Sequence, residues 1–388
     1  MKSKKWKQVC VLTLAFILIA SISTISVRAE GVNVVILVSN NEADSAVAMS
    51  IASLLNISVI VTPWGIYKPN VTAEIIKQMP DKVIIIGGPV AVPVEYEQDL
   101  DNLGIPYERW YGEDRYSTNI RVIENAKEEF PGIFDNVKVL IVNGRDQGAI
   151  EVIKKLKLKR IVPIFVDNGL ENQTEVIGSL IRPKNVVIVK SPLLTQKMSV
   201  ILQQMVERNG VTLSQITVEA SKELCLEAIT NTESVLELAK DILDDLKIPG
   251  AKNMLELANK ELEKSKEEYS RGNYISSYRY AIYARNHADV VVFLAGKEKN
   301  KILHGLPTVA LEHDILRLQI QIQALANSGA DVSEVQKLIQ QAEDYLQKGD
   351  LESAFDIVQV IKEKLRNLFV NEKSRNKHKP EHSRGKRH

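Results

Sequence analysis

The first 286 residues contain no histidine; the six in the chain are His287, His304, His313, His378, His382 and His388. A Ser-His-Asp triad or a His-ligated metal built within that stretch is therefore excluded. Cysteine is almost as scarce. Cys10 lies in an apolar N-terminal run and Cys225 far downstream, which rules out a disulfide framework and a cysteine metal cluster. Cys225 reads as a buried apolar residue on a helix. There is no Walker-type lysine loop and no complete Gly-x-Gly-x-x-Gly turn. Neither sign of charge dominates: 50 Lys and Arg against 49 Asp and Glu leave +1, so no general pull on nucleic acid or anionic lipid is expected. Basic residues crowd only the last stretch, at Lys373, Arg375, Lys377, Lys379, Arg384, Lys386 and Arg387.

The N-terminus predicts export. Lys2, Lys4, Lys5 and Lys7 precede an apolar run over residues 9–27, and Val27-Arg28-Ala29 offers small residues at a cleavage position. Ser21, Ser23, Thr24 and Ser26 dilute the second half of the run, which suits cleavage after Ala29 better than retention as an anchor. The remainder is expected to work outside the cytoplasm, secreted or at the cell surface. No second apolar run is long enough to cross a bilayer.

From residue 32 to about 218, short apolar runs alternate with helix-length segments. Residues 34–38 are β-branched or apolar without polar alternation, as in a strand covered on both faces. Asn40 to Asp44 offers N-cap chemistry before a helix over 46–55. A strand over 57–61 follows, then a helix capped by Thr72 and closed by Pro80, then a strand over 83–86. The order restarts with strands predicted over 137–142, 161–166 and 186–189, and Asn143-Gly144-Arg145-Asp146 occupies the place of Asn40 to Asp44. Two tandem strand–helix units with parallel sheets result. After residue 221, Leu, Ala, Glu and Lys take over at helical spacing. Helices are expected over 224–246, 251–271 and 274–294, and again over 310–326, 332–348 and 351–369. An internal repeat supports that order: Gly272 and Gly349 stand in matching turns between helices. The expected architecture is thus α/β tandem repeats with parallel sheets, followed by an all-α domain of two three-helix bundles. The expected divisions are a signal peptide over 1–29, an α/β region over 30–220, a helical region over 221–371 (repeats 221–300 and 305–371) and a basic disordered tail over 372–388.

One continuous stretch carries a resemblance. A strand over 83–86 meets Gly87-Gly88-Pro89, a helix-length segment and an extended piece ending at Arg109, and Gly112-Glu113-Asp114-Arg115-Tyr116-Ser117-Thr118 closes the run. This resembles one unit of the cell wall-binding repeat 2 family over residues 32–125. Asp44 stands at the family's Asp position, and Gly112, Asp114 and Thr118 define the repeat further. The second copy departs from the pattern: Lys190 and Ser191 replace the two glycines, and no Asp-Arg-Tyr element follows. Family members usually carry three units in a pseudo-threefold arrangement. This chain shows about two, and completion by a second chain, as a homo-oligomer, is one alternative. The resemblance implies non-covalent binding to an anionic envelope polymer or a surface-layer component. Arg109 and Arg115 are the implied bidentate donors, the Gly87-Gly88 turn the source of N–H groups, and Tyr116 a further contact.

Structural readings stand beside each of these. Arg109, Asp114 and Arg115 form an internal ion-pair cluster in one such reading; Asp44 is an N-cap, Gly87 and Gly88 serve a tight turn, and Tyr116 is core with a satisfied hydroxyl. Glu42 and Asp44 read as solvated turn residues rather than a catalytic pair. His378, His382 and His388 read as solvated tail. Tyr274, Tyr278, Tyr280 and Tyr283 crowd one helix and suit a core or a contact surface. Asn56, Asn70 and Asn172 begin glycosylation sequons. The expected function is binding without catalysis, cofactor or metal. Two other classes remain: an extracytoplasmic scaffold recruiting a protein partner through the helical region, and a hydrolase using carboxylates at the strand ends.

Overall fold

A computed structural model describes residues 32–155, 160–167, 180–194, 199–200, 203–204, 211–245, 248–303 and 307–377. The predicted signal segment, the Asn172 sequon, His304, His378, His382, His388 and the last eleven residues of the predicted tail lie outside the described residues. From Val34 on, the chain is one compact unit.

The first α/β unit follows the sequence closely. Strand β1 (Val34–Ser39) is buried at all six positions. Helix α1 (Glu42–Leu55) starts at Asn41, whose side chain accepts hydrogen bonds from the Ala43 and Asp44 amides at 3.1 and 3.4 Å. Asn41 is thus the cap, and Asp44 falls inside the first turn. After β2 (Ser58–Thr62), helix α2 spans Pro69–Gln78, with Pro69 in the first turn, where its missing N–H costs nothing. Thr72, expected as the cap, lies within that helix, is buried, and donates its hydroxyl to Asp99. Strand β3 (Lys82–Ile86), helix α3 (Glu95–Leu103), strand β4 (Tyr107–Trp110) and helix α4 (Arg115–Glu129) complete the unit. The second unit comprises β5 (Lys138–Asn143), α5 (Gln147–Lys155), β6 (Ile161–Val166), β7 (Asn185–Lys190) and β8 (Thr212–Thr217).

Each unit carries a four-stranded, wholly parallel sheet. The orders are β2-β1-β3-β4 and β6-β5-β7-β8, the same arrangement twice. Val35 lies opposite Val83 and Val139 opposite Val186, so β1 and β3 correspond to β5 and β7. Strand β8 escaped the sequence reading because its residues are mostly exposed and polar, which gives no buried run to detect.

Helices α1 and α4 pack between the two sheets. Ile36 and Val38 of β1, Ile51 of α1, Val122 and Ile123 of α4, and Ile141 and Ile164 of the second sheet share one core. The opposite face of the first sheet packs on α2 and α3. The helical half follows as α6 (Lys222–Asp245), α7 (Ala251–Ser270), α8 (Tyr274–Leu303), α9 (Pro307–Asn327), α10 (Ser333–Gln347) and α11 (Leu351–Lys377). Helices α6, α7 and α8 share a core around Ile229, Leu262 and Ile282, which includes fully buried Cys225. Helices α9, α10 and α11 bury Leu318, Ile339 and Leu365 in the same core as Val35, Leu37 and Leu100 of the first unit.

The tail requires a correction. Helix α11 continues to Lys377, past the expected start of disorder. Lys373 pairs with Asp81 at 2.9 Å and donates to the Pro80 carbonyl at 2.8 Å, while Glu372 is buried and pairs with Arg375. Anchors on the first unit extend the helix into a stretch whose composition alone reads as solvated.

Candidate functional site

In an open parallel sheet, ligand crevices form outside the carboxyl ends of strands where the strand order reverses. The first unit reverses between β1 and β3. Asn40 and Asn41 follow β1 there, and Gly87-Gly88 follow β3. Gly87 has φ +117°, a conformation that side chains avoid, and a Cβ on it would stand 3.3 Å from Asp44 Oδ2. Gly88 accepts hydrogen bonds from the Ala91 and Val92 amides, both at 2.9 Å, and its own N–H finds no acceptor among the described residues. The Tyr111 ring, 46% exposed, lies against Gly88.

Asp44 is only 9% exposed and its carboxylate receives no hydrogen bond from any described residue. Burial pushes its pKa up to about 6; Arg115 opposes this and Glu42 adds to it. Glu42 is not a solvated turn residue either: it pairs with Arg285 of α8 at 3.1 Å.

The arginine and tyrosine singled out beside the crevice are engaged within the fold. Arg109 donates Nε to Glu97 at 2.7 Å and Nη1 to the Gly87 and Val92 carbonyls at 2.8 and 2.9 Å. It therefore shapes the glycine turn from beneath. Asp114 caps α4, accepting from the Tyr116 and Ser117 amides, while Ser117 Oγ accepts from the Asp114 amide in a reciprocal capping box. Gly112 has no room for a side chain beside Ser117, and its amide donates to Thr118 at 3.0 Å. Arg115 donates Nη1 to the Gly144 carbonyl at 2.7 Å, and the Tyr116 ring packs on Gly144. Burial pushes the Tyr116 phenol up, with Arg145 beside it opposing. The expected ion-pair cluster of Arg109, Asp114 and Arg115 does not form; each turns to a different partner.

Asn119, missed in the sequence, completes this junction. Its side chain donates to the Pro163 carbonyl at 3.0 Å and accepts from the Phe165 amide at 3.2 Å. It thereby satisfies both backbone groups along the free edge of β6. The Asp-Arg-Tyr element is a helix start that fastens the first unit to the second.

The crevice of the second unit is filled. Lys190-Ser191-Pro192 replaces Gly87-Gly88-Pro89. Asp146, fully buried, accepts from the Ala149 amide at 2.9 Å and from the Tyr278 hydroxyl of α8. The Tyr278 ring fits because residue 148 is glycine. Gln147 and Arg285 both bond Asp289 of α8, at 2.8 and 2.9 Å. A second polar joint docks α9: Asp99 of α3 accepts from Arg317 Nε at 2.9 Å, Gln321 at 2.7 Å, and the Tyr67 and Thr72 hydroxyls. Burial pushes the Asp99 carboxyl up while Arg317 and these donors pull it back. Nothing local marks Asp99, whose partners Arg317 and Gln321 lie more than two hundred residues away; Asp146, read in the place of Asn40 to Asp44, and Tyr278, read as core or contact surface, meet only in the fold.

No protein-family profile matches the chain. An uncharacterized protein of Methanocaldococcus jannaschii is 35% identical over 189 residues, which is 48% of this chain and 55% of that protein. The chain thus spans little more than half the length of that relative. Among solved structures, Cwp6 from Clostridium difficile is weakly similar, at 19% identity over 50% of this chain and 30% of that chain, with a TM-score of 0.39.

Proposed function

We propose that this chain is a non-catalytic, extracytoplasmic protein that binds an anionic envelope polymer or surface-layer component at the crevice of its first α/β unit. One observation carries the reading: where the strand order of the first sheet reverses, the Gly87-Gly88 turn leaves the Gly88 N–H without an acceptor among the described residues, whereas at the corresponding end of the second sheet Lys190 and Ser191 replace the glycines and Tyr278 bonds Asp146. The helical half, read as two three-helix bundles, is a rigid support seated on the sheets through Asp99 and Asp146. The first 29 residues direct export and are removed after Ala29, which the mass of the mature protein tests. Binding itself is tested by co-sedimenting the chain with isolated envelopes across a salt series. Retention is expected to weaken as salt rises, and several-fold with Arg115→Ala, through the lost cation and the loosened junction at Gly144. No retention at low salt overturns the reading.

A second reading, a scaffold with a protein partner, is favoured by one feature. Adjoining ends of α7 and α8, joined through Ala251, Val291 and Val292, expose Met254, Leu257, Val290 and Phe293 at 38–42%. Under this reading Phe293→Asp abolishes capture of a partner by the full chain and leaves envelope retention unchanged; equal capture by both proteins removes it.

A further inference from the structure

The two α/β units differ in charge where their strands begin. Pairing within the sheets matches Ser58 and Val83, both opposite Val35, with Val162 and Val186, both opposite Val139. Asn56, Met79 and Asp81 of the first unit therefore correspond to Arg160, Arg182 and Lys184 of the second. The backbone agrees: φ is 56° at Asn56 and 54° at Arg160, 48° at Met79 and 47° at Arg182.

These matching turns serve different ends. In the first unit Met79 packs against the core shared with the helical half, and Asp81 takes Lys373 of α11. In the second, Arg182 and Lys184 are exposed, and no described residue bonds or pairs with their side chains. Arg160 donates to the Asp135 carbonyl. A left-handed backbone suits Asn or Gly better than Arg, so the turn itself does not call for either arginine.

Arg182 and Lys184 line an open groove of about 410 Å3. That size falls within the range of small-ligand clefts, about 300–1,000 Å3. Lys127, in the last turn of α4, is a third cation on the wall, and Asp135 is the one carboxylate among the lining residues. Ile133, Phe134 and Ile181 are buried and give the groove an apolar floor. Cations over an apolar floor suit an anionic group carried on an organic body, and a guanidinium matches phosphate or carboxylate with two parallel donors.

We infer that this groove binds an anionic sugar unit, with its phosphate or carboxylate on Arg182 and Lys184 and its ring over the apolar floor. The choice of a sugar rests on the reading of the chain as an envelope-polymer binder. It adds to that reading a second seat, at the amino ends of the strands of the second unit, where the polymer's charge is held.

The test uses the full chain in saturation-transfer NMR at neutral pH and low salt, with glucose, glucose 1-phosphate and glucuronic acid as probes. An anionic probe is expected to receive more signal than glucose and to lose it as salt rises. The double variant Arg182→Asn, Lys184→Gln is expected to weaken that signal about ten-fold, consistent with loss of hydrogen bonds to charged groups. Because Asn suits the left-handed turn, this variant is expected to melt no lower than the wild type, which separates a lost site from a lost fold. Equal transfer in wild type and double variant, or glucose matching both anionic probes, overturns the site. So does binding to phosphatidylglycerol vesicles that the double variant loses while neither anionic sugar receives signal. Envelope co-sedimentation is run on the same two proteins, which both keep the basic C-terminal residues. Retention of both proteins without variant-sensitive transfer removes the site and leaves the polymer reading standing. Variant-sensitive transfer without envelope retention does the reverse.

Discussion

Asp44 sets a measurable cost within its own helix. Its carboxyl is pushed from 3.8 up to about 6, chiefly by burial, with Arg115 opposing and Glu42 adding. The folded chain therefore holds this proton more tightly than the unfolded chain, and stability falls as pH rises between those two values. Above that window the cost is on the order of 3 kcal/mol. Asp44→Asn removes the ionisation, so its melting temperature at pH 7.5 is expected to exceed that of the wild type, and the two curves converge near pH 4. A variant less stable at pH 7.5 would mean that the carboxylate is paired in the folded state. Gly112 acts in the opposite sense. A Cβ there would overlap Ser117 in the capping box, so Gly112→Ala is expected to cost about 1–3 kcal/mol in urea unfolding. An unchanged midpoint would show that the turn relaxes.

Single joints decide how whole elements dock. Helix α9 meets α3 at the buried Asp99–Arg317 pair, where both side chains are nearly inaccessible. Removing one partner strands a buried charge, so Arg317→Met is expected to cost about 3–5 kcal/mol, and Asp99→Leu in the same chain to recover much of it. A double variant no better than the single one would refute coupling between the two. Helix α8 meets α5 through Tyr278 and Asp146. Tyr278→Phe keeps the ring in its place on Gly148 and removes only the donor. A loss of about 1–3 kcal/mol is expected, with protection of α8 amides in hydrogen exchange falling more than that of α10. Equal protection in both helices would show that Asp146 finds another donor.

The whole molecule was partly legible beforehand. Both parallel sheets, their tandem order and the change to helices near residue 221 follow from apolar run lengths and turn residues. The element that resembled a binding motif was less so. Asp114, Ser117, Thr118 and Gly112 build a helix start, and Arg115, Tyr116 and Asn119 grip the second unit. Motif residues of both kinds read alike in a sequence, since capping, gripping and ligand binding use the same donors and acceptors.

Local chemistry settled the buried strands and the helices, because periodicity, β-branching and glycine turns act over a few residues; the mostly exposed β8 gave it no such signal. Closure came from tertiary structure alone. Whether a carboxylate is capped, plugged or left open depends on which distant helix meets its strand end: Tyr278 reaches Asp146, Arg317 reaches Asp99, and Lys373 holds α11 against Asp81. Among the described residues no such partner reaches Asp44, and that difference arises from packing in three dimensions, where charge and hydroxyl groups far apart along the chain are brought within bonding distance or kept from it.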